Sequence, residues 1–217
     1  MNAARGFERR LERFVDGLAS RLFRGRIQPA EIAATLLRQA DVALQEEVAG
    51  PTAPNMFAVR LHPGEIADEE GANQLAIELA DIVEEAARQR GWRLEGRVEV
   101  LFREDESAAA GAVDCVAGFR PGVLEVWAYL HRPTGRLALR PNRVLIGRGR
   151  RCDVKLEEPS VSRRHAVLWR EGTGTWLADL GSSNGTFLNG QRIEEAVGVH
   201  DGDVVGAGPV SFTFSVT

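Results

Sequence analysis

The sequence predicts two domains: an α+β domain over residues 1–106 and an all-β sandwich over residues 123–217, joined by a linker over residues 107–122. Three features point to this division. Apolar residues in the first half recur near the helical period of 3.6 and twice give way to strand-like alternation. The second half is built from short β-branched or aromatic runs divided by Gly, Pro, Ser and Asn clusters, as sandwich strands are. Between them lies SAAAGAVDCVAGFRPG, rich in Ala and Gly and nearly without periodicity.

Phe7, Leu11, Phe14, Val15, Leu18 and Leu22 draw one apolar stripe with Arg and Glu opposite, which predicts a first helix broken at Gly25. Pro29 suits a first helical position and opens a second helix carrying Ile32, Leu36, Leu37, Ala40 and Leu44, ended by Gly50, Pro51 and Pro54. Phe57, Val59 and Leu61 alternate as a strand that Pro63-Gly64 stops. Leu75, Leu79, Ile82, Val83 and Ala86 form a third helix ended by Gly91, and Val98, Val100 and Phe102 a second strand. The order α-α-β-α-β defines an α+β domain. In the sandwich the candidate strands are Val144–Ile146, Val154–Leu156, His165–Trp169, Trp176–Leu180 and Ser211–Val216.

The bulk composition excludes several classes. With 44% hydrophobic and 27% charged residues the chain reads as an ordinary soluble protein. No apolar run approaches the eighteen or so residues of a membrane span, and the first residues lack a signal-peptide apolar region, so a cytoplasmic location is expected. Cys115 and Cys152 are isolated: Cys152 is expected to be a small buried side chain and Cys115 to lie in the linker. His62, His131, His165 and His200 are scattered, which gives a metal centre no support. Charge is uneven. Residues 1–27 hold seven Arg against three acids, residues 28–106 seven Arg against seventeen acids, and residues 107–217 thirteen basic against eleven acidic residues. That pattern lacks the extended basic face of a nucleic-acid binder. No Walker-A loop, GxSxG elbow or HExxH is present, so neither an enzyme nor a cofactor is expected.

Three polar motifs sit at the ends of apolar runs: Gly147-Arg148, Ser162-Arg163-Arg164-His165 and Ser182-Ser183-Asn184-Gly185-Thr186. Sandwich loops gather at the sheet ends, where a guanidinium and short hydroxyls can surround one phosphate. The segments IGRGRRCDVKL, PSVSRRHAVL, DLGSSNGTFLNGQRI and DGDVVGAG resemble, in order and spacing, the forkhead-associated (FHA) domain over residues 123–217. The resemblance implies a phosphothreonine-peptide binder. By the family pattern Arg148, Ser162 and Arg163 contact the phosphate, Ser183 reaches the phosphate or the threonine side, and Asn184 grips the peptide main chain. His165 braces the binding loop, Gly147 and Gly185 supply close approach and positive φ, and Arg164 is a solvated flank. Gly149 and Arg150-Arg151 face residues beyond the phosphothreonine.

RLERFVDGLASRLFRGRIQPAEIAATLLRQAD and PNMFAV resemble the FhaA-like N-terminal domain that actinobacterial and related bacterial proteins carry ahead of an FHA domain, encoded beside serine/threonine kinases. The linker here is short where the family's is often long. The implied partners are phosphothreonine-containing proteins, kinase substrates or the kinase itself, in a cell-wall or division pathway, with no nucleic acid and with membrane contact only through those partners. The competing expectation is a structural interaction or membrane-surface scaffold whose FHA domain does not read phosphate, the arginines between Arg5 and Arg26 then facing anionic lipid. Thr35 and Thr52 are weighed as phosphoacceptors in the first domain, in unremarkable contexts.

Overall fold

The computed structural model describes residues 22–24 and 27–217, so the helix expected from Phe7 falls outside the described residues except for Leu22. The chain divides into two compact units, residues 1–45, 53–87 and 94–122 in the first and residues 46–52, 88–93 and 123–217 in the second. From the start of the described chain the elements are α1 (Pro29–Val42), β1 (Gln45–Glu47), β2 (Gly50–Thr52), β3 (Met56–Leu61), α2 (Glu69–Gln89), β4 (Glu99–Glu104) and β5 (Asp114–Gly118).

In the first unit, α1 begins where Pro29 fixes φ after the extended Gln28, and it buries Ile32, Ala33, Leu36 and Ala40. It stops at Ala43, one residue before the expected helical Leu44. In α2, Glu69 and Glu70 lie in the first turn and Arg88 in the last, matching the helix dipole at both ends. Gly91, at φ +64°, closes the chain after it. Strands β3 and β4 run parallel with α2 as their crossover, and β5 pairs antiparallel on the other side of β3. Alternation on β3 sends Phe57, Val59 and Leu61 into the core. The buried Asn55 is fully used, donating to the carbonyls of Arg97 (3.1 Å) and Arg120 (2.8 Å) and accepting from the Arg120 amide (2.8 Å).

Strand β5 lies inside the stretch read as a linker. Asp114 and Val116 point outward while Cys115 pairs with Val59 and Ala117 with Phe57, an alternation that the small residues Ala and Gly disguised. Cys115 is therefore a core residue, 4% exposed, and burial, together with the adjacent Asp114 carboxylate, pushes its thiol up to about 12. Cys152, expected to be buried, is the half-exposed one.

The second unit continues with β6 (Ala128–Arg132), β7 (Gly135–Leu139), β8 (Arg143–Gly147), β9 (Val154–Lys155), β10 (Ala166–Glu171), β11 (Gly174–Asp179), β12 (Thr186–Leu188), β13 (Gln191–Arg192), β14 (Val197–Val199), β15 (Val204–Ala207) and β16 (Val210–Val216). They form a five-stranded sheet in the order β14-β11-β10-β8-β9 and a six-stranded sheet in the order β13-β12-β15-β16-β6-β7. Leu130, Leu139, Val144, Ile146, Leu168 and Phe214 pack in the core of this sandwich. The run Ala166-Val167-Leu168-Trp169 is buried throughout, as a strand covered on both faces must be. Ala166 and Leu168 belong to the main core, while Val167 and Trp169 cluster with Leu145 and Ala49.

Candidate functional site

Three loops of the second unit meet: 147–153 after β8, 158–165 before β10, and 180–185 after β11. Gly147 explains part of the meeting. A Cβ there would stand 2.5 Å from the Arg163 carbonyl oxygen and 2.8 Å from that of Ser162, so only glycine lets the second loop lie against the end of β8. Amide bonds then fix the contact, Arg148 donating to the Ser162 carbonyl (3.1 Å) and Gly149 to that of Arg163 (3.0 Å). The Cys152 thiol also donates to the Arg163 carbonyl, at 3.1 Å.

His165 is fully buried and joins the second loop to the third. Its Nδ1 accepts from the Ser162 amide at 3.1 Å, and its Nε2 lies 3.0 Å from the Gly185 carbonyl. An amide can only donate and a carbonyl only accept, so the proton sits on Nε2 and the ring is neutral. Gly185, at φ +80°, shares the same carbonyl with the Gly208 amide at 3.0 Å.

Ser162 Oγ accepts from the Ser183 amide at 3.1 Å, and its own proton has no acceptor among the described residues. Asn184 Nδ2 donates to the Ser160 carbonyl at 2.7 Å, and Ser160 is in turn fixed by Glu158, whose carboxylate accepts its hydroxyl at 2.7 Å. Arg148, Arg163, Ser183 and Asn184 are exposed around this frame. Neither Arg148 nor Arg163 has an ion-pair partner among the described residues. Every residue expected in the site thus falls within one loop cluster, Gly147 by close approach and Gly185 by positive φ.

Sequence reasoning missed Asp179, at the end of β11. Its carboxylate accepts the Ser182 amide (2.8 Å), the Ser182 hydroxyl (2.6 Å) and the Thr186 hydroxyl (2.5 Å), so it shapes the third loop from within. Burial works to raise its pKa, but the Ser182 and Thr186 hydroxyls and the Ser182 and Gly181 amides outweigh it and hold the carboxyl below its ordinary range. The available signal was a carboxylate three residues before Ser182, the spacing of a side-chain-to-backbone turn.

A β-sandwich with interlocked loops of this kind is the architecture of an FHA domain, and comparison with known families agrees. The FHA domain model matches residues 144–208, and the model described as FhaA, N-terminal domain matches residues 5–115, just over half of the chain. The chain belongs to the FhaA N-terminal-domain family and carries an FHA domain behind that region. It is similar to the ABC transporter ATP-binding/permease protein Rv1747 of Mycobacterium tuberculosis, 43% identical over 84 residues that make up 39% of this chain and 9% of that protein. It is 32% identical to the glycogen accumulation regulator GarA of Mycolicibacterium smegmatis over 122 residues, 54% of this chain and 77% of GarA. A solved structure of Mycobacterium tuberculosis EmbR in complex with a low-affinity phosphopeptide aligns with a TM-score of 0.41 at 36% identity, covering 43% of this chain and 25% of that one. Against Rv1747 and the EmbR proteins the matched segment spans from about a tenth to a quarter of the relative's length.

Proposed function

We propose that the chain is a non-enzymatic adaptor that binds phosphothreonine-containing proteins, kinase substrates or the kinase itself, in a bacterial serine/threonine kinase pathway. The observation that carries this reading is the state of Ser162: its oxygen is held by the Ser183 amide while its proton remains available, beside the exposed guanidiniums of Arg148 and Arg163. A phosphate dianion needs that combination of a short hydroxyl donor and planar cationic forks. Ser183 adds a second hydroxyl at the same rim. Asn184, steadied through Ser160, offers its carboxamide oxygen to the amides of an extended peptide.

Membership in the FHA family points the same way, and a cytoplasmic location and a role in cell-wall or division signalling belong to the same proposal. No described helix is long and apolar enough to cross a membrane. Thr35 and Thr52, 5% and 3% exposed, do not offer their hydroxyls to a kinase in the folded chain. The test is capture from a degenerate phosphothreonine peptide library by the wild-type chain and by Arg148→Ala. Wild type should enrich phosphorylated sequences and the variant should not; equal capture by both would remove Arg148 from the site.

A further inference from the structure

We infer that Arg93, far in sequence from the FHA motifs, is a positioning residue for the 148–153 loop and thereby tunes which residues are accepted after the phosphothreonine; the second half of this statement rests on the phosphopeptide reading above. Arg93 lies in the segment 88–93 of the second unit. Its guanidinium grips Asp153 as a two-pronged fork, Nη1 to Oδ2 at 2.8 Å and Nη2 to Oδ1 at 2.9 Å, and Nη1 also donates to the Arg143 carbonyl at 2.6 Å.

The pair is largely shielded, with side-chain exposures of 11% for Arg93 and 19% for Asp153. Asp153 Oδ2 in addition accepts the Leu145 amide at 2.8 Å, one residue before β8 begins to pair with β9. One carboxylate therefore ties the exit of the loop back to the strand that enters it, and Arg93 fixes that carboxylate from outside both. The Arg93 amide is itself held by the Pro51 carbonyl at 2.8 Å.

At its other end the loop is fixed by the amides of Arg148 and Gly149 on the 162–163 carbonyls. Between the two anchors only Arg150 and Arg151 are exposed and without a side-chain partner among the described residues. They are the groups able to meet a peptide beyond the phosphate, and their direction follows from where Asp153 is held. Two exposed cations at that place favour an acidic side chain over a basic one. A planar fork fixes a carboxylate in position and angle, which a lysine ammonium does not.

The test uses the full chain and three phosphothreonine peptides identical through the phosphorylated residue and carrying Asp, Ala or Arg in the positions that follow. Wild type should bind them in that order. Arg93→Ala should compress the Asp-to-Arg preference by about three- to ten-fold, and Arg93→Lys, which keeps the charge without the fork, should do the same. Amide exchange should rise at Leu145 and across 148–153 in both variants while the amides of β10 and β11 stay protected, a pattern that a general loss of stability would not produce. An unchanged preference, unchanged exchange in the loop, or full rescue by Lys would overturn the assignment. If wild type did not distinguish phosphorylated from unphosphorylated peptide, the phosphate reading would fall, and the exchange comparison alone would decide whether Arg93 holds the loop.

Discussion

At the scale of single residues the site divides into groups that face solvent and groups that hold them; of the second kind His165, Gly147 and Gly185 could be named from their motifs, and Asp179 could not. Arg148, Ser162 and Asn184 stand in short polar motifs at strand ends, where their chemistry could be read directly. Asp179 ends an apolar strand and looks like an ordinary boundary residue, because its three hydroxyl and amide donors are gathered only when the 180–185 loop closes. Asp179→Asn should cost about 1.5–3 kcal/mol of stability through weakened charge-assisted bonds. Because the folded carboxyl titrates below its ordinary value, its contribution is complete above about pH 4 and is lost as pH falls through the lowered folded value. The gap in Tm between wild type and Asp179→Asn should therefore narrow on acidification below about pH 4; a gap that widens there would contradict the assignment. His165 carries its own test. Long-range nitrogen–proton spectra should show the proton on Nε2 at neutral pH, and a proton on Nδ1 would mean that the Ser162 amide is not bonded to it.

At the scale of elements, legibility followed periodicity. The long helix α2 and strands β3, β8, β10 and β16 have apolar patterns extended enough to read. Strands β12 to β15 have between two and four residues, Gly198 and Gly206 among them, and pairing with neighbours rather than local pattern defines them. Strand β5 escaped for a related reason, since Ala and Gly carry too little apolar contrast to mark a face. The hairpin β1–β2 replaced a simple helix end, with Gly50 at φ +108° where the chain turns into Pro51. The loop contact at Gly147 is a property of the β8 end as a whole, so Gly147→Ala should act on binding more than its single methyl suggests. The added Cβ meets backbone that cannot rotate away, and an overpacking cost of about 1–3 kcal/mol is expected. Thermal unfolding should show that loss together with weaker phosphopeptide binding; a variant as stable and as tight as wild type would mean that the loops do not need this approach.

At the scale of the whole molecule, the net charge of −4 opposes an anionic ligand, while the loop cluster concentrates exposed Arg148, Arg150, Arg151, Arg163 and Arg164. Binding should therefore depend on local fields. Raising ionic strength from about 0.05 to 0.5 M should weaken phosphopeptide affinity without abolishing it, since a two-pronged arginine contact survives screening better than a diffuse one. The division into an α+β region and a sandwich was visible in the switch from helical to alternating periods. That residues 46–52 and 88–93 belong to the second unit was not, because nothing local marks a segment whose partners are Asn142, Arg143 and Asp153. The most direct measurement of the central claim is calorimetry of the full chain with one peptide in its phosphothreonine and threonine forms, repeated at about pH 7.5 and 5.5 around the second ionisation of the phosphate. The account predicts binding of the phosphorylated form alone, weakening at the lower pH; equal affinity for the two forms would contradict it.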